Sequence, residues 1–186
     1  MSFTLNTARL KIRPWTPADA ESAFAIYGDA RVMRYLGSGG ATGGSPPIAS
    51  VEAMRENLER RAARPPSPDG LPGLLAIVEK ETDVPVGSVL LSRLPDGEGK
   101  PTADVEIGWH LRQDRWGRGY ATEAARAMAA YAFEILRLAE VHAIVYADNA
   151  GSLRVCERLG MTHLGQTGRY YGVTVEHYRL RADDLK

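Results

Sequence analysis

The run Trp116-Gly117-Arg118-Gly119-Tyr120-Ala121-Thr122-Glu123-Ala124 places two glycines directly before an alanine-rich stretch. Glycine lets the backbone adopt positive φ and approach a ligand with no Cβ in the way. A helix beginning here opens with unpaired N–H groups and the positive end of its dipole. That combination suits an anion, above all a phosphate; the plain alternative is a tight strand-to-helix turn with no ligand. Arg115 and Arg118 border the glycines, as charge-assisted contacts to that anion or as a solvated basic rim.

A second group of chemistry-bearing residues precedes the loop. Ala103 to Leu111 alternates, with Asp104, Glu106, Gly108 and His110 on one face and Val105, Ile107, Trp109 and Leu111 on the other. A mid-strand carboxylate either faces a cleft or has a structural partner. In a cleft, Glu106 is the best placed general base, taking a proton from a substrate ammonium directly or through a water. A third group follows the loop: Asn149, with Ser152 three residues on, at a helix start. Asp148 or Asn149 is a natural N-cap there, with Ser152 in the first turn. His110, His142, His163 and His177 are further titratable candidates, but no spacing among them suggests a metal site. Glu176, His177, Tyr170 and Tyr171, near the C-terminus, are further candidates for a cleft wall. Cys156 lies beside Val155 and Leu159 and reads as packing rather than as a nucleophile.

The elements that must position these residues are legible as alternating patterns and breakers. Leu5 to Arg13 predicts a strand, and Thr16-Pro17-Ala18-Asp19 a helix start running to about Tyr27. Gly37 to Pro47 predicts a mobile loop, Ser50 to Ala63 a helix and Arg64 to Gly73 another loop. Leu74 to Glu79, Val86 to Leu94 and Ala103 to Leu111 predict an antiparallel meander. Then come the glycine loop, a helix from about Thr122 to Leu136, a strand at Val141 to Ala147 and a helix at Asn149 to Leu159 that ends at Gly160. Thr162 to Tyr170 and Val173 to Arg181 predict a hairpin turning near Gly172. The order predicts one α+β domain spanning residues 1–186, with no internal repeat and no domain-sized linker.

Composition sets the outer bounds. The 186 residues carry 23 basic and 23 acidic side chains, so no global field recruits nucleic acid or an anionic membrane. One cysteine excludes an intramolecular disulfide. No stretch has the roughly 20 apolar residues of a membrane span, and Met1 to Arg13 lacks a signal-peptide core. The expectation is a cytoplasmic protein, monomer or homodimer, without nucleic-acid or membrane partners.

The element order, with the glycine loop between the fourth strand and third helix, resembles the GNAT superfamily of N-acetyltransferases. That family's pyrophosphate loop reads Gln/Arg-x-x-Gly-x-Gly/Ala; Gly119 and Ala121 fit its last two fixed positions, and Trp116 stands where Gln or Arg is usual. Trp-Gly-x-Gly-Tyr-Ala-Thr-Glu-Ala is similar to the branch containing the ribosomal-protein N-terminal alanine and serine acetyltransferases. So are Thr7-Ala8-Arg9-Leu10-Lys11-Ile12-Arg13-Pro14, Glu106-Ile107-Gly108-Trp109, and the run from Asn149 through Ser152 to Gly160-Met161, where Met161 replaces a Phe. The resemblance implies a mixed, mostly antiparallel seven-stranded sheet with about four helices, splayed between the fourth and fifth strands.

It also implies acetyl-CoA as co-substrate, no metal, and an amine acceptor attacked directly in a ternary complex. The cofactor-binding run would be Gly117, Arg118, Gly119, Tyr120, Ala121 and Thr122, with backbone N–H groups of Gly117 to Ala121 on the pyrophosphate. His110, Leu111 and Arg112 would border pantetheine at the end of the fourth strand, and an N–H near Leu111 would polarise the acetyl carbonyl. Asn149 would hydrogen-bond pantetheine, and Ser152 would protonate the departing thiolate. Glu106 and Ser152 are thus the catalytic candidates. A non-catalytic acyl-CoA-binding sensor is the rival reading. The acceptor stays open among a protein N-terminus, a polyamine, an amino-acid analogue and an aminoglycoside.

Overall fold

The computed structural model describes residues 3–37 and 44–185. Of the expected Gly37 to Pro47 loop, residues 38–43 lie outside the described residues. One eight-stranded sheet runs in the order β1-β2-β3-β4-β5-β6-β8-β7. Its strands are β1 (Leu5–Asn6), β2 (Leu10–Pro14), β3 (Gly73–Glu79), β4 (Val84–Pro95), β5 (Pro101–Leu111), β6 (Glu140–Val145), β7 (Thr162–Thr167) and β8 (Val175–Arg181). Among the described residues five α-helices complete it: α1 (Ala20–Tyr27), α2 (Ala30–Met33), α3 (Val51–Ala62), α4 (Tyr120–Glu134) and α5 (Ala150–Leu159).

The eighth strand arises because the predicted first strand breaks in two. Thr7 closes a turn there: its N–H donates to the Leu10 carbonyl at 2.9 Å and its hydroxyl accepts the Leu10 N–H at 2.9 Å. The fifth helix is the short α2, capped by Asp29, whose carboxylate accepts the Arg31 N–H. Elsewhere the local signals hold. Thr16 and Asp19 form a capping box, and Ser50 accepts the Ala53 N–H to start α3. Helix α4 begins two residues before its predicted start, directly after Gly119.

Two apolar layers sandwich the sheet. On one face α4 lays Ala124, Ala125, Met128, Ala129 and Ala132, all fully buried, against Ile12, Leu75, Ile77, Val89 and Ile107. Small side chains let this helix approach the strands closely, and α5 adds Val155, Cys156 and Leu159 to the same layer. On the other face α1 and α3 pack Ala23, Ile26, Met54 and Leu58 against Trp15, Ala76 and Val78. All strand pairs are antiparallel except β5 with β6, which is parallel and joined through the single pairing Glu106↔His142. Past that pairing the two strands part. This opening is the expected splay, and it is what positions the site.

Candidate active site

A cavity of about 740 Å³ occupies the opening and reaches both faces of the sheet. Its residues fall into two halves by strand alternation. Ile107, Trp109, Leu111, Ala143 and Val145 belong to the α4–α5 side, together with Trp116 to Thr122 and Asn149 to Val155. Glu106, Gly108, His110, Ile144 and Tyr146 belong to the other side, together with Val32, Tyr35 and Leu36.

The glycine loop is held from several directions. Gly117 and Gly119 have φ of 76° and 79°, and Gly119 is the N-cap of α4. A Cβ at Gly117 would meet nothing within 4 Å, so that backbone face is open to a ligand. Glu79, 4% exposed, accepts the Tyr120 hydroxyl at 2.6 Å and the Thr82 hydroxyl at 3.0 Å, and pairs with Arg115 at 3.5 Å. The Tyr120 hydroxyl bond, foremost, holds the Glu79 carboxyl below its ordinary range. Glu123 accepts the Thr7 hydroxyl at 2.5 Å and Arg9 Nε at 2.7 Å, while Arg9 Nη1 donates to the Arg118 carbonyl at 2.9 Å. Arg115 is thus committed to Glu79 and Asp114. Arg154 and Arg158, one turn apart on α5, line this half with no ion pair among the described residues. Sequence reasoning passed over them, though their spacing on the helix that begins at Asn149 was a readable signal.

Along β5, Arg112 N–H donates to the Val86 carbonyl at 2.9 Å. Antiparallel alternation therefore turns the main-chain groups of Trp109 and Leu111 toward the side that β6 vacates. The Leu111 carbonyl accepts the Trp116 indole N–H at 2.8 Å, which ties the strand end to the glycine loop. Asn149 is the N-cap of α5: its side-chain oxygen accepts the Ser152 N–H at 3.1 Å. Both residues line the cavity. Cys156 is fully buried, and burial pushes its thiol up to about 12, in keeping with packing.

Glu106 lines the cavity where the strands part and is 8% exposed. Burial pushes its carboxyl up to about 7, opposed by the Tyr171 hydroxyl, which donates to Oε2 at 2.6 Å. Tyr171 has φ of 54°, uncommon without glycine, in a turn whose neighbour Gly172 approaches Gly97. The docking of that turn on the β4–β5 turn carries Tyr171 to Glu106. His110 is half-buried with Nε2 2.9 Å from the Tyr27 hydroxyl, itself 2.8 Å from Ser88 Oγ. Ser88 Oγ also accepts the Trp15 indole N–H at 3.0 Å, so Trp15, Ser88, Tyr27 and His110 form one continuous polar chain. Burial lowers the His110 pKa to about 4, so the ring is neutral. The His110 imidazole faces Tyr27, and the residue also lines the cavity. His142 and His177 meet at 3.0 Å further along this face. His163 and Glu176 pair with each other at 2.6 Å. Tyr170 is fully buried, donating to Asp104 at 2.8 Å.

Across the mouth of this half, Arg34 pairs with Asp148, the Tyr35 and Tyr146 rings lie 6.2 Å apart, and Tyr146 donates to the Gly37 carbonyl. Among the described residues no helix is long and apolar enough to cross a membrane.

A family model described as the acetyltransferase (GNAT) domain matches residues 9–162. An N-acetyltransferase of Bacillus licheniformis, p20, is 26% identical over 162 residues, covering 87% of this chain and 84% of its own. A GNAT-family acetyltransferase structure from Bacillus anthracis superposes with a TM-score of 0.75 at 20% identity, covering 97% and 99% of the two chains. The ribosomal-protein-S5-alanine acetyltransferase of Vibrio fischeri shares the fold, with a TM-score of 0.70, 15% identity and 99% of each chain covered. A splayed β5–β6 pair, a glycine loop capping α4 and a family match over most of the chain lead to one conclusion: this protein belongs to the GNAT family, as an acetyl-CoA-dependent N-acetyltransferase.

Proposed function

We propose that the enzyme moves an acetyl group to a primary amine by direct attack in a ternary complex, all within a single catalytic domain. When bound, acetyl-CoA supplies an acetyl group activated as a thioester. The open backbone at Gly117 and the N-terminus of α4 suit its pyrophosphate, with Gly117 to Thr122 as the cradle. Arg154 and Arg158 add positive charge on that side. The strand edge at His110, Leu111 and Arg112 runs beside the expected pantetheine path, and Asn149 stands across from it.

The observation that carries the reading is Glu106: a nearly buried carboxylate, held at about 7, at the junction of the two halves. It takes one proton from the substrate ammonium and passes it to solvent. The amine nitrogen then bonds the acetyl carbon as the carbon–sulfur bond breaks. Negative charge building on the acetyl oxygen is met by an N–H at the end of β5, near Leu111. The second amine proton ends on the leaving sulfur, with Ser152 as the donor at that end of the cleft. The products are an amide, coenzyme A and one proton. Orientation of the two substrates across the splay supplies much of the acceleration. The Cys156 thiol takes no part.

Thiol release from acetyl-CoA across a panel of amines tests this. Glu106→Gln should lower kcat about 10²-fold or more, the usual scale of general-base catalysis. A loss under threefold removes Glu106 from the mechanism.

A further inference from the structure

We propose that the acceptor is a primary monoamine on an apolar or aromatic body, with no second cationic centre. This rests on the acetyltransferase reading above. The half of the cavity beyond Glu106 is walled by Val32, Tyr35, Leu36, Leu90, Ile144 and Tyr146. Among the described lining residues only Glu106 and Asp148 are acidic, and Asp148 is engaged by Arg34. Glu106 is therefore the one buried carboxylate among the described lining residues that an incoming ammonium meets, and catalysis uses it.

The surroundings offer no second one. On the same sheet face Asp104 pairs with Arg169 at 3.1 Å and Glu140 with Arg181 at 3.2 Å. The Tyr35 ring, a surface that attracts cations, already carries the Arg34 guanidinium 5.2 Å from its centroid. Arg31 lines the entrance as a further positive charge, paired with Asp29. A polyamine or aminoglycoside entering this space would bury ammonium groups without partners, which is strongly unfavourable. A peptide N-terminus would press its first amide groups against apolar walls, leaving them unbonded. An apolar or aromatic body instead gains burial against those walls.

The full-length protein is assayed by thiol release from acetyl-CoA with phenethylamine, hexylamine, spermidine, tobramycin and a hexapeptide beginning with alanine. The expected result is kcat/KM for phenethylamine or hexylamine at least 100-fold above spermidine and tobramycin, and at least tenfold above the peptide. Tyr35→Glu, which adds a carboxylate to the wall, should raise the spermidine-to-phenethylamine ratio about tenfold. If that variant does not fold, the wild-type ranking decides alone. The proposal is overturned if a polycation or the peptide matches the monoamines, or if acetyl-CoA binds by calorimetry yet neither monoamine is turned over. Absence of acetyl-CoA binding, with no thiol release for any amine, overturns the acetyltransferase reading and this one with it.

Discussion

The two halves of the cleft are built differently. The glycine-loop half is fastened by Glu79 and Glu123, which reach it from β3 and from within α4 and gather Tyr120, Thr82, Arg115, Thr7 and Arg9. The other half is closed by an exposed ion pair, Arg34–Asp148, and one ring contact, Tyr35–Tyr146. A buried, multiply bonded carboxylate fixes a loop in one conformation, whereas an exposed pair contributes little. The difference fits a rigid cradle for one constant co-substrate beside a more adaptable wall for the acceptor. Glu106 lines the cavity where the two halves meet.

The largest effect should come from Glu106→Gln, which should cut kcat while leaving acetyl-CoA affinity unchanged, because the cradle is separate. It should also change stability. The Glu106 carboxyl is raised from 4.5 to about 7, so the folded state prefers it protonated. Its contribution is present below about pH 4.5 and is lost as pH rises through about 7. At pH 8 the glutamine variant should therefore be more stable than wild type, on the order of 1–3 kcal/mol, and at pH 4.5 it should hold no advantage. Chemical denaturation at both pH values checks this; a variant less stable at pH 8 means the burial penalty is absent.

Glu79→Ala should come next. It releases Tyr120 and Arg115 from the loop, weakening acetyl-CoA binding about tenfold and stability by about 1–3 kcal/mol, the range for orphaned buried partners. Calorimetry showing unchanged affinity would mean the loop holds its shape without the clamp. Tyr171→Phe should act more gently. The Tyr171 hydroxyl bond pulls the Glu106 pKa down, so its loss should move the acid limb of the pH–rate profile upward from about 7. A shift of about half to one unit is expected, with kcat at pH 9 within threefold of wild type. A downward shift or none would assign Tyr171 to packing alone. The smallest effect belongs to Arg34→Ala, whose partners are mostly exposed. It should raise the acceptor KM about threefold, with thermal stability changed by less than about 1 kcal/mol. An equal rise in the acetyl-CoA KM would erase the distinction between the halves.

That same contrast explains what was readable in the chain. Loop and helix ends follow local chemistry, so the positive φ of Gly117 and Gly119, the Asn149 cap and the Gly160 terminus are visible in a few residues each. Glu106 was legible from strand alternation, because a carboxylate there needs a cleft or a partner; it has both. The break at Thr7 was not, since its hydroxyl also serves Glu123, 116 residues away. Likewise the turning of His110 toward Tyr27, and the closure by Arg34, Tyr35, Tyr146 and Asp148, depend on contacts between distant segments. No local pattern encodes such meetings, and the proposed acceptor wall is made almost entirely of them.

Every step of the proposed reaction begins with acetyl-CoA seated on the glycine loop. Calorimetric titration of acetyl-CoA into wild type and Gly119→Val, each checked for folding by its thermal transition, tests that. A side chain at φ 79° strains the cap of α4 and crowds the approach to its N–H groups. The prediction is micromolar binding to wild type, lost in a folded Gly119→Val. No binding to wild type up to millimolar concentration, or equal affinity for both proteins, would contradict it.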